Sequence, residues 1–196
     1  MKITLIAIAL GLVMATGAVA QTTWTVDNSH SKVKFAVTHL VIAEVEGNFN
    51  VYEGTLQSSK DFSDAKVEFT VDVNSINTEN ETRDKHLKSD DFFNAERFPK
   101  ATFKSTSWKK VDDQNYVLEG NLTIRDITKS VVFTVVNGGT VKDPWGNIKT
   151  GFKATTTINR FDYNLKWNAM TEAGGAVVGK NVTLTVQLEF AKKKSS

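Results

Sequence analysis

Hydrophobic and polar residues alternate along much of the chain. In one segment, the apolar face carries in order Val33, Phe35, Val37 and His39. The same period of two recurs over residues 67–73 and 182–190. Because successive side chains of a strand point to opposite faces, each of these segments predicts a β-strand with one buried side.

Short polar or glycine-rich stretches separate further segments that also predict strands, namely 44–56, 101–108, 115–125, 130–137 and 150–160. The stretch 143–147 (DPWGN) predicts a hairpin tip, and the stretch 137–139 (NGG) predicts the end of a strand. About eight or nine strands without a βαβ rhythm predict an all-β fold, either an antiparallel barrel or a sandwich. The length of the strands favours the barrel, because long strands suit the strong tilt of barrel strands. About eight such strands enclose room for one small ligand.

One insert, residues 78–98, has a helical pattern instead. Thr78 and Glu81 have the spacing of a capping box, and Ser89 followed by two aspartates predicts the start of a second short helix. Two interpretations stay open for its apolar side chains, which are Leu87, Phe92, Phe93 and Phe98. They either plug a solid barrel or line the mouth of a hollow one.

The first twenty residues have the pattern of a secretory signal peptide. Lys2 precedes an apolar run over residues 3–14, and Ala18-Val19-Ala20 matches a cleavage site. The run is too short to span a bilayer. We therefore expect cleavage after Ala20, a single domain over residues 21–196, and a periplasmic or secreted protein without a membrane anchor.

Composition narrows the functional classes. The 24 basic and 22 acidic residues leave a formal net charge of +2, which gives no sign of a nucleic-acid partner. The chain has no cysteine, so thiol chemistry and disulfides are excluded. No nucleophile elbow, Walker loop or dinucleotide fingerprint is present. The oligomeric state stays open at this point, a homodimer included.

Histidines supply the alternative chemistry. The chain has three, His30, His39 and His86, and three histidines can hold a zinc ion. Their spacing contains no H-x-x-x-H pair, so it gives a weak indication of a metal site. A metal-assisted or redox enzyme that uses these histidines remains the alternative function.

Several segments together resemble the YceI-like family. They are "WTVDNSHSKVKFAVTHL" at 24–40, "EGNF" at 46–49, "SINTENETRDKHLKSDDFFNAERFPKATFKS" at 75–105, "GNLTIRDITK" at 120–129 and "INRFDYN" at 158–164. The resemblance implies an extended, eight-stranded, lipocalin-like antiparallel barrel that is periplasmic or secreted. It also implies a binding protein and not an enzyme, with a long amphiphile such as a polyisoprenoid, quinone tail or fatty amide inside the barrel and no other cofactor.

The hypothesis of a lipid carrier or store assigns roles to particular side chains. Contacts to the apolar tail are expected from Phe35, Val37, His39 and Phe49, and contacts at the mouth from Leu87, Phe92 and Phe93. Contacts to a polar head group are expected from Arg83, His86 and Arg160. A third hypothesis is a solid-cored interaction or stress protein, in which the same residues only pack.

Overall fold

The computed structural model describes residues 21–59, 61–172 and 174–193. The predicted signal peptide, residues 1–20, lies outside these ranges. Within them the chain forms eleven strands and one α-helix. The strands are β1 (Thr22–Val26), β2 (Lys32–His39), β3 (Ala43–Phe49), β4 (Tyr52–Ser58), β5 (Lys66–Asp72), β6 (Ile76–Asn77), β7 (Lys100–Lys110), β8 (Asn115–Ile124), β9 (Ile127–Lys142), β10 (Ile148–Asn159) and β11 (Val178–Lys192). The helix is α1 (Glu81–Lys88), and 3₁₀ turns occupy Asn28–His30, Val73–Ser75 and Arg160–Tyr163.

The strands close into a barrel. The circuit runs β1-β4-β5-β7-β8-β9-β10-β11, and β11 pairs again with β1. Every pairing in it is antiparallel. Strand β2 continues alongside β11 beyond β1, β3 pairs with β2, and β6 pairs with β3. The predicted eight-stranded antiparallel barrel is therefore confirmed, and the sandwich is excluded.

Strands β1 and β2 share β11 as a partner, and a short turn separates them. The Asp27 side chain accepts a hydrogen bond from the backbone N–H of Ser29 at 3.0 Å. The Asp27 backbone N–H donates to the carbonyl of Glu189 at 2.8 Å. The Lys149 ammonium lies between the Asp27 and Glu189 carboxylates. This cluster fixes the point at which the wall passes from β1 to β2.

The hairpin of β9 and β10 is longer than the sequence predicts. Asn137-Gly138-Gly139 does not end a strand, because β9 runs on to Lys142. The register shifts there, with Gly139 opposite Gly151 and Asn137 opposite Phe152, so Gly138 is the extra residue of a bulge. Gly139 has a φ of 99°, which glycine adopts without strain. The tip at residues 143–147 lies where the sequence predicts it.

One end of the barrel, here called the closed end, is packed solid. Its buried cluster includes Trp24, Leu56, Phe62, Phe152 and Phe190. Phe62 comes from the β4–β5 loop, and its ring lies 5.5 Å from the ring of Trp24 and 5.4 Å from that of Phe152. The Phe62 side chain thus fills this end of the barrel.

The insert between β6 and β7 covers the opposite end. Helix α1 begins after Asn80, whose side chain accepts from the Arg83 N–H at 2.9 Å, so the capping box at Thr78 is wrong. Thr78 instead donates its hydroxyl proton to Asp84 at 2.5 Å. The second helix predicted from Ser89 is also wrong, because residues 89–97 form successive turns.

Candidate functional site: an apolar cavity beneath the helical insert

A cavity of about 200 Å³ lies inside the barrel between the closed end and the insert. Side chains of β2, β3, β5, β7, β8, β9, β10, β11 and the insert line it. Its polar lining residues are Lys34, Thr102 and Arg160. Lys34 and Thr102 are exposed and alternate with inward-facing neighbours, so their side chains leave the interior apolar. The barrel is therefore hollow in its middle and solid at one end.

Most residues that the sequence predicts for the site do line this cavity. They are Phe35, Val37, Phe49, Leu87, Phe92, Phe93 and Arg160. Phe49 joins the wall to the insert, because its ring lies 5.8 Å from that of Phe35 and 6.0 Å from that of Phe93. Wall and insert thus meet through aromatic contacts at the edge of the cavity.

Three of the predicted residues lie outside the lining. His39 is half-buried at the end of β2, one alternate position beyond Val37. Arg83 donates to the hydroxyl of Thr78 at 2.8 Å and to its carbonyl at 2.7 Å. The contacts of these two residues and of His86 with a ligand stay predictions, and the cavity itself is formed without them.

His86 belongs to a cluster on the outer side of the insert. Its Nε2 lies 2.9 Å from a carboxylate oxygen of Asp91. Its ring packs edge-on against Phe92 at 5.1 Å and Trp167 at 5.4 Å. The imidazole therefore braces the insert against the segment that contains Trp167.

Arg160 is buried, with 2% of its surface exposed, and it lies at one wall of the cavity. Its guanidinium donates to four backbone carbonyls, those of Leu165, Trp167, Val178 and Gly179, at 2.6–3.2 Å. Burial lowers the pKa of Arg160 below its ordinary value. Since a guanidinium has five N–H groups, most of its donors hold the segment 164–179 in place. Arg160 is a structural clamp at the cavity wall.

The insert is held down by a residue that the sequence did not single out, Arg125. Its guanidinium donates to the carbonyl of Phe92 at 2.9 Å and to that of Asn164 at 3.0 Å. It also pairs with the Asp90 carboxylate at 2.9 Å. The backbone N–H of Trp167 donates to the Asp91 carbonyl at 3.2 Å. Arg125 and this backbone hydrogen bond thus tie the insert to the segment after β10.

The sequence patterns did not assign several lining residues to the site, among them Phe69, Phe103, Leu122, Phe133 and Ile158. The signal for Phe69 was available, because it alternates with polar residues in the segment 67–73. Alternation identifies the inward face of a strand. It does not give the height of a residue along the barrel, which decides between cavity and closed end.

The structure does not bring the three histidines together. Among the described residues, the group with spacing suited to a metal ion is Asp27, His30 and Glu189. The Lys149 ammonium contacts both carboxylates of that group. His39 and His86 take no part in it. Within the described ranges, no helix combines the length and apolar character that a bilayer crossing needs.

An eight-stranded antiparallel barrel with an apolar interior cavity is the architecture of lipocalin-like barrels. The chain belongs to the YceI-like domain family, whose match covers residues 24–190. A UPF0312 protein of Staphylococcus aureus (strain N315) is 39% identical over 172 residues, which cover 87% of this chain and 98% of that protein.

Solved structures have the same fold. The YCEI protein of Campylobacter jejuni is 32% identical, with a TM-score of 0.69 over 81% of this chain and 90% of that one. A polyisoprenoid binding domain from Saccharophagus degradans, implicated in plant cell wall breakdown, has a TM-score of 0.60 over 87% of this chain and 98% of its own. At 16% identity, the second likeness concerns the fold alone.

Proposed function

We propose that this protein binds one long amphiphilic lipid, a polyisoprenoid, quinone or fatty-acid-like molecule, with its tail inside the barrel. The observation that carries the proposal is the cavity inside the barrel, whose inward side chains are almost all apolar. The protein acts as a carrier or store in the periplasm after cleavage following Ala20, and it is a binding protein without catalytic activity.

Burial of the tail supplies the affinity. Removing about 200 Å² of hydrocarbon from water is worth about 5 kcal/mol at about 25 cal/mol per Å². Lost freedom of the tail and of the whole ligand offsets part of this gain. A long lipid leaves water so readily that it needs an apolar enclosure to cross an aqueous compartment. The cavity under the insert provides one.

The likeness to known proteins supports the same class of ligand. The related domain from Saccharophagus degradans is described as binding polyisoprenoids. The histidine-dependent alternative has less support, since the three histidines lie in different parts of the barrel wall and insert. No observation in the described residues favours that second function over lipid binding.

Native mass spectrometry tests the proposal directly. Protein purified from a lysate that contains membranes is expected to carry one apolar adduct, which organic extraction removes and a long polyprenol restores. N-terminal sequencing of protein from the periplasmic fraction is expected to begin at Gln21.

A matched pair of variants separates binding in the cavity from adhesion to the surface. Phe93→Asp places a charge in the cavity lining and is expected to abolish the adduct. Val141→Asp changes an exposed side chain at the far end of β9 and is expected to leave the adduct unchanged. Consistent absence of any adduct from the wild-type protein would overturn the proposed function.

A further inference from the structure

Three glycines in the barrel wall each lie directly beneath a phenylalanine ring. A Cβ atom at Gly47 would stand 2.4 Å from Cζ of Phe35, and one at Gly54 would stand 2.3 Å from Cδ2 of Phe69. A Cβ atom at Gly120 would stand 2.4 Å from Cζ of Phe103. Such distances are far inside van der Waals contact. Each ring therefore occupies the space of a missing side chain.

Strand register explains this arrangement at two of the three positions. Phe35 is directly opposite Gly47, and Phe69 is directly opposite Gly54. Opposite residues of an antiparallel pair share a face, so these glycines lie on the inward side. The rings lean over the backbone of the next strand instead of pointing to the barrel axis. Phe35, Phe69 and Phe103 all line the cavity, whereas the three glycines do not.

We propose that Gly47, Gly54 and Gly120 set the bore of the cavity by letting these three rings lie flat against the wall. The inference rests on the proposed function and specifies its ligand. A cavity widened in this way accepts a chain with methyl branches, which is broader than an unbranched chain. The glycines thereby favour a methyl-branched tail over an unbranched chain of the same length.

The space on the other side of each ring makes the effect directional. A methyl group at one of these positions requires the ring atoms to retreat from 2.3–2.4 Å to about 3.5–4.0 Å. The backbone blocks the wall side, so the ring moves by about 1 Å or more into the cavity. An alanine therefore narrows the bore without adding an atom to the lumen itself.

The three positions are not equally suited to an experiment. At Gly120, a Cβ would also stand 2.6 Å from the carbonyl oxygen of Lys104, which the strand pairing holds in place. At Gly47, it would stand 2.7 Å from Cγ2 of Thr78, which anchors the insert. At Gly54, the nearest atom outside the Phe69 ring is the Glu68 carbonyl oxygen at 3.2 Å. Gly54→Ala is thus the variant of choice.

Two alcohols with the same main-chain length, geranylgeraniol and 1-hexadecanol, measure the bore. Geranylgeraniol carries methyl branches and 1-hexadecanol has none. Displacement of a fluorescent apolar probe is expected to show at least a tenfold loss of affinity for geranylgeraniol in Gly54→Ala. The loss for 1-hexadecanol is expected to stay below threefold. Partial unfolding would weaken both alcohols alike, so their ratio is the informative quantity.

Two further variants complete the test. Gly151 is a strand glycine with open space where its Cβ would be, and Gly151→Ala is expected to leave both affinities unchanged. Gly54→Ala combined with Phe69→Leu removes the ring that the new methyl displaces and is expected to restore geranylgeraniol binding. Equal losses for the two alcohols, or no loss, in Gly54→Ala would overturn the inference alone. Wild-type protein that binds neither alcohol would overturn the proposed function and this inference with it.

Discussion

Among single residues, Lys149 stands out because its ammonium contacts two carboxylates, those of Asp27 and Glu189, in the barrel wall. Hydrogen bonding to its ammonium, opposed by burial, lowers the pKa of Asp27 to about 2. The same contacts, with Asp27 first and Glu189 second, raise the pKa of Lys149 above its ordinary value. Both partners are largely shielded from solvent, with 15% and 21% of their side-chain surfaces exposed. The ion cluster therefore links folding to pH at the junction of β1 and β2.

Replacement of this lysine gives a prediction with a defined sign. An unfolded aspartate has a pKa near 3.9, so the folded protein binds fewer protons between about pH 4 and 2. The stabilisation by Asp27 is present above that range and is lost as the pH falls through it. Lys149→Met is expected to cost about 1–2 kcal/mol at pH 7 and clearly less at pH 2. Urea unfolding at both pH values measures this difference.

An exposed ion pair supplies the control for Lys149. Lys104 pairs with Glu68 at 2.8 Å, but both side chains are mostly exposed. Lys104→Met is expected to leave the free energy of unfolding nearly unchanged at either pH, because solvent screens such pairs. A Lys149→Met variant whose deficit is the same at pH 2 and pH 7 would contradict a role for the Asp27 carboxylate.

The sequence predicted the face of a residue better than its contacts. Phe35 and Val37 line the cavity as their alternation indicates. Arg160 also lies at the cavity, but its guanidinium is committed to backbone carbonyls, two of which belong to the distant residues Val178 and Gly179. No local pattern shows that Val178 and Gly179 return to this point. Long-range hydrogen bonds of this kind follow from the closed barrel and not from spacing along the chain.

At the scale of elements, the insert covers one end of the barrel, and Arg125 supplies the side-chain hydrogen bonds that hold it there. Arg125 bonds to the carbonyls of Phe92 and Asn164 from a position just after β8. Removal of these bonds loosens the insert, which the hydrogen bond from Trp167 to Asp91 still holds, and leaves the strand pairings of the barrel in place. Arg125→Ala is expected to speed release of a bound polyprenol about tenfold with little change in circular dichroism. Stopped-flow transfer of a fluorescent prenyl lipid to acceptor vesicles measures the rate.

Arg97 offers a matched control on the same insert. Its guanidinium is exposed and lies 5.1 Å from the ring of Phe98. Arg97→Ala is expected to leave the release rate unchanged, because this contact does not join the insert to the rest of the barrel. Release at the wild-type rate from Arg125→Ala would show that the insert does not limit ligand exit.

The sequence predicted correctly that the insert contains a helix, but it predicted the wrong cap and a second helix that is not formed. Helical spacing located α1 correctly within residues 78–98. It assigned the cap to Thr78, whereas the cap is Asn80, because the Thr78 side chain is used by Asp84 and Arg83. Both residues lie near the start of the helix, and their side chains engage the Thr78 hydroxyl in place of a backbone N–H of the helix. Capping rules describe the helix alone and miss such competition.

At the scale of the whole molecule, the barrel divides into a solid end and a hollow middle. Inward residues of both parts are aliphatic and aromatic, so alternation along the strands cannot distinguish them. The difference arises from the side chain of Phe62, which extends from the β4–β5 loop and fills the closed end. It also arises from rings such as that of Phe69, which lie against the wall. The sequence therefore predicts the barrel but not its cavity.

Substitution of one alanine in the hollow middle and one in the solid end tests this division of the barrel. Ala154 lines the cavity, and Ala65 is buried in the closed end with 4% of its surface exposed. Ala154→Leu is expected to fill empty space, so the lipid-free protein keeps or gains stability while lipid affinity falls. Ala65→Leu is expected to overpack its site at a cost of about 1–3 kcal/mol and to leave lipid affinity largely unchanged. Urea unfolding and probe displacement on both variants measure these effects. A hollow middle would be contradicted if Ala154→Leu destabilised the lipid-free protein as much as Ala65→Leu does.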